Sequence, residues 1–336
     1  MALDAHELQR PPGARAAYSH RTAWLMAELA RLAYIRFELG PARRQQLVQR
    51  LAELDTAEGV DAALDAIVAE LTQGDDDGRR RLETALAEGG FELVTTFDQS
   101  GTQGFVARRA RDGVAVLAFR GTETDFEDIR TDLQARFYRT DGVRIHSGFY
   151  KAYSAVAAQV EAAVTECAED RLYVTGHSLG GALAVVAARQ LESDGLAACY
   201  TFGSPRVGDL DFGDGLRTPV YRLVNAADLV PRLPPVWLLQ IVVLAARCVP
   251  VPYLRATLVN LAEQLRGYRH HGDLRYIPPT QEDVDRVRIL ANPDLIRRGL
   301  WLIQRLSRDW SAGVRDHRID SYCRKVARYV QQAGER

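Results

Sequence analysis

The sequence predicts an α/β protein with a mainly parallel central sheet flanked by helices. Two observations carry this. From Phe91 onward, short runs rich in β-branched and aromatic residues recur at 91–97, 104–107, 114–119, 172–175, 198–202 and 219–224, the signature of buried strands. Between the later runs lie helical patterns. One has Val156, Val160, Val164 and Cys167 on a face, and another runs from Leu179 to about Glu192. Strands and helices that alternate in this way build a parallel sheet covered on both sides.

Before Phe91 the chain reads as helical decoration. Between Ala17 and Phe37, Trp24, Leu25, Leu29, Leu32 and Ala33 recur at helical spacing. Two amphipathic stretches follow, the second marked by Val60, Leu64, Ile67 and Leu71, and Gly74-Asp75-Asp76-Asp77-Gly78 then reads as a solvated turn. With 336 residues, 47% hydrophobic and 26% charged, the chain can bury a large core. We read it as a single domain: decoration over 1–90, a core over 91–235, helical cap insertions over 236–312, and a C-terminal loop and helix over 313–336.

Charge and cysteines exclude several functions. With 43 basic and 44 acidic residues the net charge is −1, and there is no basic, aromatic-interleaved patch to hold nucleic acid. Cys167, Cys199, Cys248 and Cys323 are far apart and form no zinc spacing, so no metal is expected. They read as free thiols. The N-terminal residues contain acids and no continuous apolar run, so no secretory signal is read there. A reducing cytoplasm is the expected location.

The strongest local signal is Gly176-His177-Ser178-Leu179-Gly180. It fits G-x-S-x-G between a strand and a helix, the nucleophile elbow of an α/β-hydrolase fold. The chain must reverse so tightly at Ser178 that only glycine fits at Gly176 and Gly180, and the Leu179 amide is left to face a developing oxyanion. A serine hydroxyl also needs a base and an acid. On this fold the acid follows a later strand, which selects Asp228 after the 219–224 run; Asp209, Asp211 and Asp214 read as solvated loop acids. The base comes later still. His270 and His271 precede a strand-like Leu274 to Ile277 and read as turn residues, whereas His317 opens a final helix. Order and loop position favour His317 and leave the choice open.

These residues, with Phe119-Arg120-Gly121-Thr122-Glu123, His146-Ser147-Gly148-Phe149, Thr201-Phe202-Gly203-Ser204-Pro205-Arg206-Val207-Gly208 and Arg222-Leu223-Val224-Asn225 leading to Asp228-Leu229-Val230-Pro231, resemble the class 3 lipases, the fungal-type triacylglycerol lipase family. The likeness spans about 85 to 330 plus the N-terminal helix. It implies a Ser178, Asp228, His317 triad, an oxyanion hole of Thr122 and the Leu179 amide, hydrolysis of a lipid ester, and no cofactor. It also implies a lid after Thr122, where Glu123 to Phe137 carries Phe126, Ile129 and Leu133 on one face; a plain surface helix fits the same pattern. The sequence departs from the fungal pattern in the longer interval from His317 to Tyr322 and in insertions near 38–88, 236–266 and 281–312. Two rival functions remain at this stage, an acyltransferase on the same site and a non-catalytic lipid-binding relative. Oligomeric state is not readable.

The insertions suggest a membrane contact. Val236 to Val249 is apolar except for Gln240 and Arg247, too short for a span of about 20 residues. The helical pattern over 294–310 mixes Leu295, Leu300, Trp301, Ile303, Leu306 and Trp310 with Arg297, Arg298, Arg305 and Arg308. Trp237, Leu238 and Trp301 are the candidate interface residues for peripheral membrane contact. A cap packed on the sheet is the alternative.

Overall fold

In the computed structural model, the described residues are 17–36, 77–121, 137–140, 142–191, 195–234, 267–279 and 286–334. An eight-stranded sheet runs in the order β1 (Glu92–Gln99), β2 (Thr102–Arg109), β3 (Val114–Phe119), β6 (Arg171–His177), β7 (Leu196–Phe202), β8 (Val220–Asn225), β9 (Asp273–Ile277) and β10 (Leu290–Ala291). The four ladders from β3 to β9 are parallel and the edges are antiparallel. With its flanking helices, this is the α/β-hydrolase fold. A separate hairpin, β4 (Phe137–Thr140) with β5 (Val143–His146), precedes helix α3 (Ser147–Glu166).

Strand alternation explains the two-sided core. Ala115, Leu117 and Phe119 point to one side with Val174 and Cys199, where they meet α3 through Val156 and Val160 and helix α4 (Leu179–Leu191) through Leu183 and Val186. Val114, Val116 and Ala118 point to the other side, against α1 (His20–Leu32), the helix over 77–88 (α2) and the C-terminal α8 (Ile319–Gly334). Ser19 caps α1 by accepting from the Thr22 amide, and Trp24, Leu25 and Leu29 are buried. Each such side chain contributes about 1.5–3 kcal/mol through burial, so the N-terminal helix belongs to the core.

Helices α5 (Leu210–Asp214), α6 (Leu295–Arg308) and α7 (Ala312–Arg315) are the remaining α-helices among the described residues. Asp77 and Gly78, expected in a solvated turn, instead open α2; an aspartate in a first turn is favoured by the helix dipole. Phe137, expected at the end of the lid helix, is the first residue of β4, paired with His146. The candidate lid residues Phe126, Ile129 and Leu133, together with Thr122 and the candidate interface residues Trp237 and Leu238, lie outside the described residues. Among the described residues no helix is long and apolar enough to cross a membrane.

Candidate active site

The elbow forms because β6 must turn into α4 with no room to spare. A Cβ at position 176 would lie 2.2 Å from the Gly180 carbonyl oxygen, and one at 180 would lie 2.4 Å from the Phe119 carbonyl oxygen. Ser178 has φ +55°, a left-handed conformation costing on the order of 1–3 kcal/mol. It is held by the Ser178 amide donating to the Phe202 carbonyl at 2.9 Å. Leu179 opens α4, where first-turn amides have no acceptor within the helix and can serve an oxyanion.

Three predicted side chains meet here. The His317 Nδ1–H donates to Asp228, 3.0 Å from each carboxylate oxygen, which leaves Nε2 to accept from the Ser178 hydroxyl at 2.9 Å. His270 and His271 are elsewhere: the first bonds the Pro231 carbonyl at 2.5 Å and the second packs on Phe212. Ser178 has no exposed surface, and neither has Asp228. Among the described residues no group of His, Cys, Asp and Glu could hold a metal ion.

A second layer holds the acid. Asp228 Oδ1 accepts from the Val230 amide at 3.0 Å, and Oδ2 accepts from the Tyr322 hydroxyl at 2.5 Å. Burial, and then the Asp228 charge, hold the Tyr322 phenol well above its ordinary pKa, so it stays a donor. Behind it, Asn225 donates to the Asp316 carbonyl and Ser321 Oγ and accepts from Lys325 Nζ at 2.8 Å, while Asp316 Oδ2 accepts from the Ala227 amide. The loop that carries the acid is thereby tied to the helix that follows the base.

His177 ties the base from the other side. Its Nε2 lies 2.6 Å from the His317 carbonyl oxygen, which can only accept, so Nε2 carries the proton and Nδ1 accepts from the Tyr34 hydroxyl at 2.7 Å. Burial, reinforced by His317, holds its pKa well below the ordinary range and keeps it neutral. Gly203 is packed against the same centre, where a Cβ would fall 2.7 Å from Asp228 Oδ2 and 3.0 Å from His317 Nδ1.

Two expectations change. Asp209 is not a solvated loop acid: it is buried, caps α5 at the Phe212 amide, and pairs with Arg144 at 2.9 Å, contacts that hold its carboxyl below the usual pKa. Trp301 is not set out toward a membrane. It stacks on the buried Tyr276 of β9 with centroids 5.6 Å apart, covering that ring.

Residues 116–237 match the family model Lipase (class 3). The chain is 44% identical over 103 residues to the secreted mono- and diacylglycerol lipase 1 of Fusarium solani, covering 28% of this chain and 31% of that protein. It is 33% identical over 162 residues to a lipase of Rhizopus niveus, covering 43% and 41%. The solved structure of a lipase from Rhizopus microsporus var. chinensis superposes with a TM-score of 0.50 at 22% identity, covering 85% of each chain, a likeness of fold. Over residues 116–237, then, the chain is similar to the class 3 lipases. Its match spans less than half the length of these curated relatives.

Proposed function

We propose that the protein is a serine carboxylic-ester hydrolase acting on a lipid, an acylglycerol or a phospholipid. The observation that carries this is the Ser178 hydroxyl 2.9 Å from His317 Nε2, with Asp228 on the far nitrogen. Ser178 Oγ attacks the ester carbonyl as Nε2 takes its proton, and Asp228 stabilises the resulting imidazolium. The Leu179 amide and Thr122 receive the oxyanion. Nε2 then protonates the departing alcohol, leaving an acyl-Ser178. Water, deprotonated by Nε2, releases the acid and restores the serine. Every proton is accounted for without a metal or organic cofactor.

An acylglycerol is favoured by the names of the relatives that share the motifs. A cytoplasmic, membrane-peripheral place of action goes with this reading, supported by Cys167, Cys199 and Cys323 as buried free thiols. The Fusarium solani relative is named as secreted, so fractionation of the host cell decides the location.

The test is fluorophosphonate labelling followed by a panel of dissolved short-chain esters, mono-, di- and triacylglycerols and phospholipids. Labelling at Ser178 with release of free acid is expected. Absence of labelling would leave a non-catalytic lipid binder, and transfer to added alcohols in preference to water would make it an acyltransferase.

A further inference from the structure

Helix α6 is amphipathic and mounted with its apolar stripe outward. Leu295, Ile296, Leu300 and Ile303 are 77%, 77%, 63% and 67% exposed, and Trp310 just beyond the helix is 85% exposed. The side turned to the protein carries the other residues. Trp301 stacks on Tyr276, the Arg298 guanidinium lies 5.9 Å from that ring's centre, and Arg305 Nε sits 3.5 Å from Asp316 Oδ2. A helix on a protein surface ordinarily turns its apolar stripe inward. Five large apolar side chains left in water together mark a contact surface.

We propose that α6 is a docking helix for an anionic lipid surface; this rests on the lipid-hydrolase reading and names where that enzyme meets its substrate. The occupant follows from charge. Residues 292–318 hold six arginines and three aspartates in a chain whose net charge is −1. Two of the aspartates are already engaged, Asp309 with Arg315 and Asp316 with Arg305. Arg297 and Arg308 are exposed on the helix beside the stripe. A second copy docked two-fold on this face would set its own arginines near these. Acidic headgroups give the arginines phosphates while the acyl boundary takes the leucine and isoleucine side chains.

The helix is also bolted to the catalytic loops. Tyr276, under Trp301, donates its hydroxyl to the Ala226 carbonyl at 2.9 Å, two residues before Asp228. Asp316, under Arg305, adjoins His317. Docking through α6 therefore presents the acid and base end of the sheet to the lipid.

The experiment uses the full chain as Ser178→Ala, so that vesicles are not consumed, in co-sedimentation with vesicles of phosphatidylglycerol and phosphatidylcholine or of phosphatidylcholine alone. Binding to the anionic vesicles is expected, weakened by salt. Leu300→Ser with Ile303→Ser should reduce binding by at least about tenfold. In the Ser178 background the same pair should leave the melting temperature and hydrolysis of a dissolved short-chain ester unchanged. No binding by the parent, or full binding by the double variant, overturns the proposal. A lowered melting temperature would show the stripe is buried and also overturns it, as would a dimer in sedimentation equilibrium that the double variant breaks without any vesicle binding. Loss of soluble-ester hydrolysis by the Ser178 protein itself would instead count against the hydrolase reading.

Discussion

The Tyr322 hydroxyl donates to Asp228 Oδ2 at 2.5 Å, and the hydroxyl oxygen itself accepts from the Asn225 backbone N–H at 3.0 Å. The Asp228 carboxylate therefore has a side-chain donor besides His317. Tyr322→Phe removes that donor and leaves a buried amide without its acceptor. A lost bond to a charged group costs about 1.5–3 kcal/mol, so a clear fall in melting temperature is expected, with a drop in kcat of about tenfold and little change in KM. An unchanged kcat would show that Val230 and His317 position the carboxylate unaided.

Asp228→Asn keeps the shape and loses the charge. The amide nitrogen must then face donors, so the histidine loses both its tautomer control and its counter-charge. A fall in kcat on the order of 10³–10⁴ is expected. Ser178→Ala should abolish fluorophosphonate labelling and hydrolysis while the protein still folds. His317→Ala should be nearly as severe, and His271→Ala, which removes a ring packed on Phe212, should keep most activity. A reversal of the two histidines in the assay would unseat His317 as the base.

Much of this site was legible because it is written in local rules. The β-branched runs marked the strands, the glycines marked the elbow, and chain order marked Asp228. Other features had no local mark. Tyr34 reaches His177 across 143 positions, and nothing in the turn after the first helix distinguishes it from a core tyrosine. The burial of Asp209 depends on Arg144 from another element. The 294–310 periodicity revealed an apolar stripe and an arginine stripe, but periodicity fixes only the angle between them. Which stripe faces the protein was decided by Tyr276 and Asp316.

Buried histidines make stability depend on pH: burial lowers the pKa of His20, His146, His177, His270 and His271, with His177 and His270 held well below the ordinary value. Burial holds His146 down to about 4 and His177 well below 6.5, while an unfolded chain titrates both near 6.5. Above that value both states are neutral and stability is flat. Below it the unfolded state binds protons that the folded state does not, so stability falls as pH falls. A histidine held neutral in this way contributes at most about 1.4 kcal/mol per pH unit below 6.5. His146 Nδ1 accepts from the Gly148 amide at 3.1 Å, a cap that asparagine can replace. His146→Asn should therefore fold and lower the slope in denaturant titrations between pH 6.5 and 5 by on the order of 1 kcal/mol per pH unit, one histidine's share. An unaltered slope would assign the acid sensitivity to other groups.

Gly203 and Gly101 separate backbone strain from damage to the site. Both have positive φ, +60° and +81°, so alanine at either costs on the order of 1–3 kcal/mol. At Gly101, in the β1–β2 turn, a Cβ has nothing within 4 Å, and the cost should appear in the melting temperature alone. At Gly203 the Cβ would press on Asp228 Oδ2 at 2.7 Å and on His317 Nδ1 at 3.0 Å, forcing apart the pair that sets the tautomer of the base. Gly203→Ala should therefore lose kcat by at least about a hundredfold, since misplacement of about 1 Å costs that much, while Gly101→Ala retains it at comparable stability. Measuring kcat well below both melting temperatures distinguishes the two effects. Equal activity in the two variants would mean that the acid and base yield to the methyl group without losing their hydrogen bond, and that the tight fit around Gly203 serves packing only.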